Sequence, residues 1–484
     1  MGVRRIDSGN LLSQRRIKEM VSHIASAAQA TVAFWGAART VTGSMHLVEV
    51  GGCKLLLDCG AARGSWQEMR RRNGAFPFHA TQLDAVLLSH AHNDHAGNLP
   101  ILVRHGFTGP ILCTAATRDL LAVTLSDSAR FKEADARVLR ILDREWSTEA
   151  LPLFSREDVE TTLRQCETLS YDQPREIFPG IEVQLVNAGH LLGAAMIALK
   201  FRAGGRDNTL TFTGDLGRRG IPLVSDPSPI PPSDFLLCES TYGGRTHQPM
   251  EQVRARLADV LRRTAERGGK VFIPAFSLGR TQTVVHTIRQ EIQAGRAPHL
   301  PIFVDSPLAA DVADVYRRHG VTSHLEPIGF NGDDAPQFVR DPNESRELSR
   351  RREPCVVVAS GGMCEGGRIL QHLKHNLDDP RCSVVLVSYQ APATPGWQLL
   401  ERRPTVRFHG KSWNKWAEVI DLNGFSTHAD HNELLNQLAP LAGGARTVCL
   451  VHGELDRAEA LQDALQQLGF VDVIIPAEGQ ILSV

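Results

Sequence analysis

The segment SHAHNDHAG, residues 89–97, sets His90, His92, Asp94 and His95 within six residues, directly after the apolar run LDAVLLS. Three imidazoles and a carboxylate at that density read as metal-ligand chemistry, because nitrogen and oxygen donors suit a borderline divalent ion such as zinc. Alternation along the chain turns His90 and His92 toward one point, and Asp94 and His95 follow toward a second. The spacing predicts a pair of ions. The plain alternative is a polar loop whose histidines only cap a helix, and packing gives no reason for such a run behind a core strand.

Two ions need more donors, and the chain offers them at the ends of other apolar runs. His190 follows IEVQLVNAG, Asp215 follows TLTFTG and His452 follows TVCLV. Each has a glycine beside it or nearby, which lets the backbone turn close to an ion. Asp58 in KLLLDCG repeats the pattern upstream and is expected to orient a ligand from behind.

The elements that must hold these residues can be read from periodicity. Runs such as LDAVLLS are rich in Val and Leu and predict buried strands. The candidate ligands thus lie where strands end, the usual place for a site in an α/β fold. Residues 31–242 alternate apolar strands with helical stretches, after an extension over 1–30 read as a short helix or flexible segment. Over 243–404 the helix MEQVRARLADVLRRTAERGG alternates with the strands KVFIPAF, LPIFVDS, PCVVVAS and SVVLVSY, a βαβ pattern with its own core. From 405 to 484 the chain returns to residues that must join the first site, so one domain is expected to be inserted into another. The stretch IGFNGDDAPQFVRDPNESRELSRRREP is polar and reads as a mobile surface segment.

HAHNDH resembles the HxHxDH signature of the metallo-β-lactamase superfamily, a four-layer αββα fold, and the likeness runs from about Thr31 onward. It implies that His90, His92 and His190 hold one zinc, that Asp94 and His95 hold a second, and that Asp215 bridges, with Asp58 behind. LLCESTYGGRTH, GGKVFIPAFSLGRTQ, VVVASGGMCEGGRILQHL, VVLVSYQAPATPGWQLL, GFSTHADHNELL and VHGE resemble, in the same order, the β-CASP nucleases. That likeness implies an inserted α/β domain with a parallel sheet. It makes Glu239, His428 and His452 the three further motif residues, and a histidine at the last of these marks the RNA-acting branch. Asp94, Asp215, Glu239 and His428 are then the expected catalytic residues, with His428 a general acid kept protonated by Glu239.

The resemblance leads to a two-zinc ribonuclease acting on single-stranded RNA. A DNA-processing nuclease or phosphodiesterase, an exonuclease, and a scaffold without activity are the alternatives; the complete ligand set opposes the last. Only about thirty residues follow His452. The short form resembles relatives that cut within a chain, so endonuclease action is expected, with the site in a cleft between the domains.

Two glycine-rich turns that open helices, FSLGRTQ and SGGMCEGGR, suggest substrate-phosphate contacts through Ser277, Arg280, Ser360, Gly361 and Arg368. Pro395 stands where relatives often carry Arg, which removes a possible backbone-phosphate charge. Trp413 and Trp416 either stack a base or pack at a domain or subunit contact, and packing is the expected use; a subunit contact would make a homodimer.

Composition adds little. With 53 basic and 54 acidic residues, no global basic field announces nucleic acid, so phosphate attraction must be local. No apolar run is long enough to span a membrane, and the N-terminus is a poor secretory signal. Nine cysteines are scattered without a CxxC pair, which suggests reduced thiols in a cytoplasmic protein. Cys364, in a glycine-rich turn, is the one whose reactivity merits a check.

Overall fold

A computed structural model describes residues 30–64, 66–142, 152–320, 335–401 and 403–484. The expected extension lies outside the described residues up to residue 29.

Two seven-stranded mixed sheets form the first domain. In one, Thr31–Gly36, Met45–Val50 and Cys53–Leu57 run antiparallel, and Ala85–Leu87, Ile111–Cys113 and Cys166–Thr168 continue in parallel. In the other, Arg175–Phe178, Ile181–Asn187, Ala195–Ala203 and Arg206–Phe212 are antiparallel neighbours, followed in parallel by Phe235–Glu239, Thr447–Val451 and Val473–Ile474. The two-residue period of a strand decides which core each side chain joins. Leu55, Leu57, Ala85 and Leu87 point into the interior between the sheets, where they meet Leu237 and Val451 of the second sheet. Leu56, Val86, Leu236 and Leu450 point outward beneath helices. Helix, sheet, sheet, helix is the resulting order, as expected of the αββα fold.

The inserted domain has a six-stranded sheet that is parallel throughout, in the order Gln337–Phe338, Ile302–Asp305, Val356–Ser360, Val271–Ala275, Ser383–Leu386, Glu418–Asp421. Val271–Ala275 is wholly buried, as a central parallel strand covered on both faces should be. Pro274 is an unusual guest there, since it has no N–H to give to a ladder. Val271 N donates to Cys355 O, so alternate residues including Pro274 face the Ser383–Leu386 side. Pairing on that side extends only over Val271 and Phe272. The proline therefore falls where the ladder has already parted.

One face of this sheet, through Val271, Ile273, Val304 and Val385, joins the same apolar cluster as the first domain. Helix Met250–Glu266 contributes Val253, Leu257, Val260 and Leu261 to that shared core. Phe272, Val357 and Val384 on the opposite face meet the helix Ile369–Asn376 and the hairpin Thr405–Phe408/Lys411–Asn414.

Two expectations change. The boundary at 404/405 is too early: the hairpin packs on the inserted domain and Glu418–Asp421 pairs with Ser383–Leu386. The chain returns to the first domain only after Asp421. The segment expected to be mobile begins among residues outside the described set, but from 335 onward it includes strand Gln337–Phe338 and helix Pro342–Arg350. Asp341 caps that helix by accepting from Asn343 N and Glu344 N, and Leu348 is buried. A cap and one apolar anchor order a stretch whose composition reads as loop.

Candidate metal centre

Strand Ala85–Leu87 delivers Ser89 and His90, and the short helix Asn93–Ala96 turns Asp94 and His95 toward the same point. Packing leaves no slack here: a Cβ on Gly60 would lie 1.7 Å from Asp94 O. The loop 215–218 is tied to the segment 427–429 by Arg218 N to Thr427 O at 2.9 Å and Ala429 N to Leu216 O at 2.8 Å. Those two bonds bring His428 from the returning chain onto Asp215.

The donors form three groups that share Asp215 or lie beside it, the third being Asp215, Glu239 and His428. His90, His92, His190 and Asp215 make one, and Asp94, His95 and His452 another; in each, one donor atom per residue lies within 4.8 Å of the rest. His92 Nδ1 is 2.9 Å from His90 Nε2 and 3.3 Å from His190 Nε2. His95 Nε2 is 3.1 Å from His452 Nε2. Asp215 reaches both of these: Oδ2 is 3.4 Å from Nε2 of His90 and of His190, and Oδ1 is 3.2 Å from His95 Nε2.

The chemistry of this set fits divalent cations. Burial holds His90 and His190 below the ordinary imidazole value and takes His92 down to about 3, so their lone pairs are free to bind. Asp215 Oδ1 is buried, with His95 Nε2 at 3.2 Å and His452 Nδ1 at 3.5 Å as its nearest charged or ligating neighbours, so it needs positive charge beside it. Burial opposes charge on His95, but Asp215 and Asp58 outweigh it and raise its pKa well above the ordinary value. A cation at Nε2 would supply the same positive charge.

Asp58 lies on the far side of His95 from Asp215. Its Oδ2 is 2.6 Å from His95 Nδ1 and accepts from Ser89 Oγ at 2.9 Å. Three hydroxyls that sequence reasoning missed complete this outer layer. Ser89 Oγ is 3.1 Å from His90 Nδ1, Thr427 Oγ1 is 3.2 Å from His190 Nδ1 and Thr241 Oγ1 is 3.1 Å from His452 Nδ1. The only signal was adjacency, since Ser89 and Thr427 each precede a singled-out histidine.

Glu239 and His428 form a second unit against the first. His428 Nδ1 is 3.2 Å from each Glu239 oxygen, and His428 Nε2 is 3.8 Å from Asp215 Oδ2. Glu239 Oε1 also accepts from Leu216 N at 2.5 Å. Burial opposes the imidazolium, but the carboxylates of Glu239 and Asp215 outweigh it and raise the His428 pKa to about 9. Tyr242 lies beside both His247 and His428, with ring centroids 4.3 and 5.9 Å away.

The expected phosphate contacts divide. Ser277 Oγ is 2.9 Å from Ser306 Oγ, at strand ends that face the first domain; Gly279 there abuts Leu191, next to His190, and Arg63 lies over the Phe276 ring. Arg280 Nη1 donates to Val387 O and Ser388 Oγ, beside Pro274 where the ladder has parted, and the side chain lies near Tyr242. Arg368 is a brace as well, with its guanidinium on Asp305, Val339 O and Arg340 O and its backbone N on Ser360 Oγ. Gly361 is held against Gly366 O, 2.1 Å from where its Cβ would be.

Cys364 is buried, which pushes its thiol up to about 12 and leaves it unreactive. Trp413 stacks on Phe408, ring centroids 5.3 Å apart, so it packs within the inserted domain; Trp416 is 61% exposed. Pro395 opens the helix Pro395–Leu400, capped by Thr394. No helix among the described residues is long and apolar enough to cross a membrane.

Three family models match the chain in succession: the metallo-β-lactamase superfamily over residues 38–242, the Beta-Casp domain over 281–399, and a Zn-dependent metallo-hydrolase RNA specificity domain over 416–476. Ribonuclease TTHA0252 of Thermus thermophilus is 37% identical over 448 residues, covering 90% of this chain and 96% of the relative. Transcription termination factor FttA of Pyrococcus abyssi is 32% identical over 87% of this chain, which spans 66% of that protein. FttA of Methanocaldococcus jannaschii is 28% identical over 92% of this chain and 70% of its own length. A crystal structure of a protein of unknown function from Enterococcus faecalis V583 shares the fold, with a TM-score of 0.53 at 15% identity, over 94% of this chain and 100% of that one.

Proposed function

The chain belongs to the β-CASP branch of the metallo-β-lactamase superfamily, and from that premise we propose that it is a two-zinc ribonuclease hydrolysing phosphodiester bonds within single-stranded RNA. As a member of that family it is a metal-dependent hydrolase. The observation that carries the reading is Asp215, one oxygen toward each histidine group, with His428 Nε2 3.8 Å from the same carboxylate. RNA as substrate is supported by the RNA specificity match and by the ribonuclease named among the relatives. Nine free cysteines support a reducing compartment such as the cytoplasm.

His90, His92 and His190 would hold one ion, Asp94, His95 and His452 the other, and Asp215 both. When bound, such a pair supplies an activated water and a Lewis acid for a phosphate oxygen. The protein's own groups do the rest. A sugar oxygen leaves poorly as an alkoxide, so it needs a proton at the moment of departure. His428 holds that proton at Nε2, because its Nδ1 is turned to Glu239. Glu239 keeps the imidazole charged and aimed, and Leu216 N keeps Glu239 from rotating away. A positioned proton donor is worth roughly 10²–10⁴-fold.

Matched RNA and DNA single strands, given to the purified protein before and after chelator dialysis, test the reading. RNA cleavage that stops on dialysis and returns with zinc is the expected result. Undiminished cutting by the metal-free protein, or cutting of DNA alone, overturns it. Internal cleavage rests on the sequence resemblance and is decided by circular single-stranded RNA: a circle left intact while its linear isomer is degraded makes the enzyme an exonuclease.

A further inference from the structure

At the far end of the inserted sheet lies a second polar cavity, of about 240 Å³, that the reaction above does not use. Lys270 and Cys382 immediately precede the strands Val271–Ala275 and Ser383–Leu386, and both line the cavity. Phe276 and Val387 follow the same two strands at the opposite end, where Gly279 meets Leu191 of the first domain. The cavity therefore faces away from the metal centre, with the length of the sheet between them.

Its lining is cationic. Lys270, Arg350, Arg351, Arg352 and Arg381 converge there with His375, against one acidic group, Asp379. The chain as a whole carries a formal charge of −1, so this is a local concentration and not part of a general basic surface. Arg381 is forked onto Asp379 and Arg351 pairs with Glu353, which leaves Arg350 and Arg352 without an ion pair among the described residues. Lys270 is the most telling group. It is only 5% exposed, donates to Arg351 O at 2.6 Å and more weakly to Ser349 O at 3.4 Å, and lies over the Phe272 ring 5.5 Å from its centroid, but has no carboxylate within ion-pair distance among the described residues. An ammonium offers three donors, and burying one without a counter-charge is costly. Burial accordingly lowers the pKa of Lys270 and of His375 beside it, the latter helped by Lys374, Arg350 and Lys270.

We propose that this cavity binds a small polyphosphate-type anion, separately from the metal centre. Phosphate oxygens would supply the counter-charge that Lys270 lacks and accept from the guanidinium forks of Arg350 and Arg352. The cavity is open to solvent on one side and roomy enough for a small anion among these side chains. Binding there is independent of the nuclease reading, because it requires neither metal nor RNA.

Isothermal titration of the zinc-loaded full chain with sodium pyrophosphate, at constant ionic strength, tests it. Because pyrophosphate can also meet zinc, the deciding comparison is with the double variant Arg350→Gln/Arg352→Gln, whose side chains are exposed and support no core packing. The expected result is saturable binding that weakens roughly tenfold or more in the double variant, with the KM for RNA unchanged. Lys270→Met should abolish binding, but the double variant decides even if that protein does not fold. Absence of saturable binding, or equal affinity in the double variant, overturns the proposal. So does a raised KM for RNA in the double variant, which would give the cavity to the substrate strand.

Discussion

His428 is the residue at which opposing influences are most finely set. Burial alone would strip its proton, and the Glu239 carboxylate restores it, with a pKa near 9 as the outcome. The sign of the pH dependence follows. A general acid works in its protonated form, so the rate should hold below that value and fall as pH rises through it. Glu239→Gln removes the largest raising influence, so the alkaline limb of kcat/KM should move toward the ordinary imidazole range while bound zinc stays near two per chain. An unmoved limb in that variant would take the pair out of the reaction. His428→Ala should slow cleavage about 10²–10⁴-fold with zinc retained, and zinc loss measured by mass spectrometry would make His428 a ligand. At this scale much was legible. His90, His92, Asp94 and His95 are close in sequence because they are close in space, and His190, Asp215 and His452 mark themselves as polar residues at the ends of apolar strands. Arg368 was not legible, because its partner Asp305 is 63 residues away and nothing local announces it.

Among the elements, the turns between strand and helix set the precision of the site. Gly60 packs against the backbone of Asp94 and Ser44, and a methyl group there would lie 1.7 Å from Asp94 O and 2.7 Å from Ser44 N. Both neighbours are main chain and cannot swing aside. Gly60→Ala should therefore cost about 1–3 kcal/mol of stability and displace Asp94, so that one of two zinc ions is bound more weakly. Thermal melts and zinc titration read the two effects separately; a fully stable variant with two tight sites would mean that the loop yields. Strand positions were legible from apolar runs, whereas the end of the insertion was not. Glu418–Asp421 belongs to the inserted sheet through pairing with Ser383–Leu386, and its sequence says nothing of which sheet it will join. Arg280 shows the same limit: its partners Val387 and Ser388 lie beyond the end of a ladder whose other strand is more than a hundred residues earlier in the chain.

For the whole molecule, the arrangement of cores has a thermodynamic consequence. Leu257 and Leu261 of helix Met250–Glu266, Val271 and Ile273 of the inserted sheet, and Leu56 and Leu450 of the outer faces of the first domain belong to one continuous apolar cluster. Exposing any part of that cluster to water removes support from the rest, and the chain crosses between the domains twice. The insertion is thus unsuited to melting on its own, although it reads in the sequence as a separate domain. Differential scanning calorimetry of the zinc-loaded protein should give one endotherm whose calorimetric and van't Hoff enthalpies agree. Two resolved endotherms would mean that the shared cluster does not couple the domains. Cooperative melting has a corollary in the working enzyme: a change that loosens the insertion also loosens the grip on metal, so heat and chelator should act on the same transition, each lowering the dose of the other needed to unfold the chain.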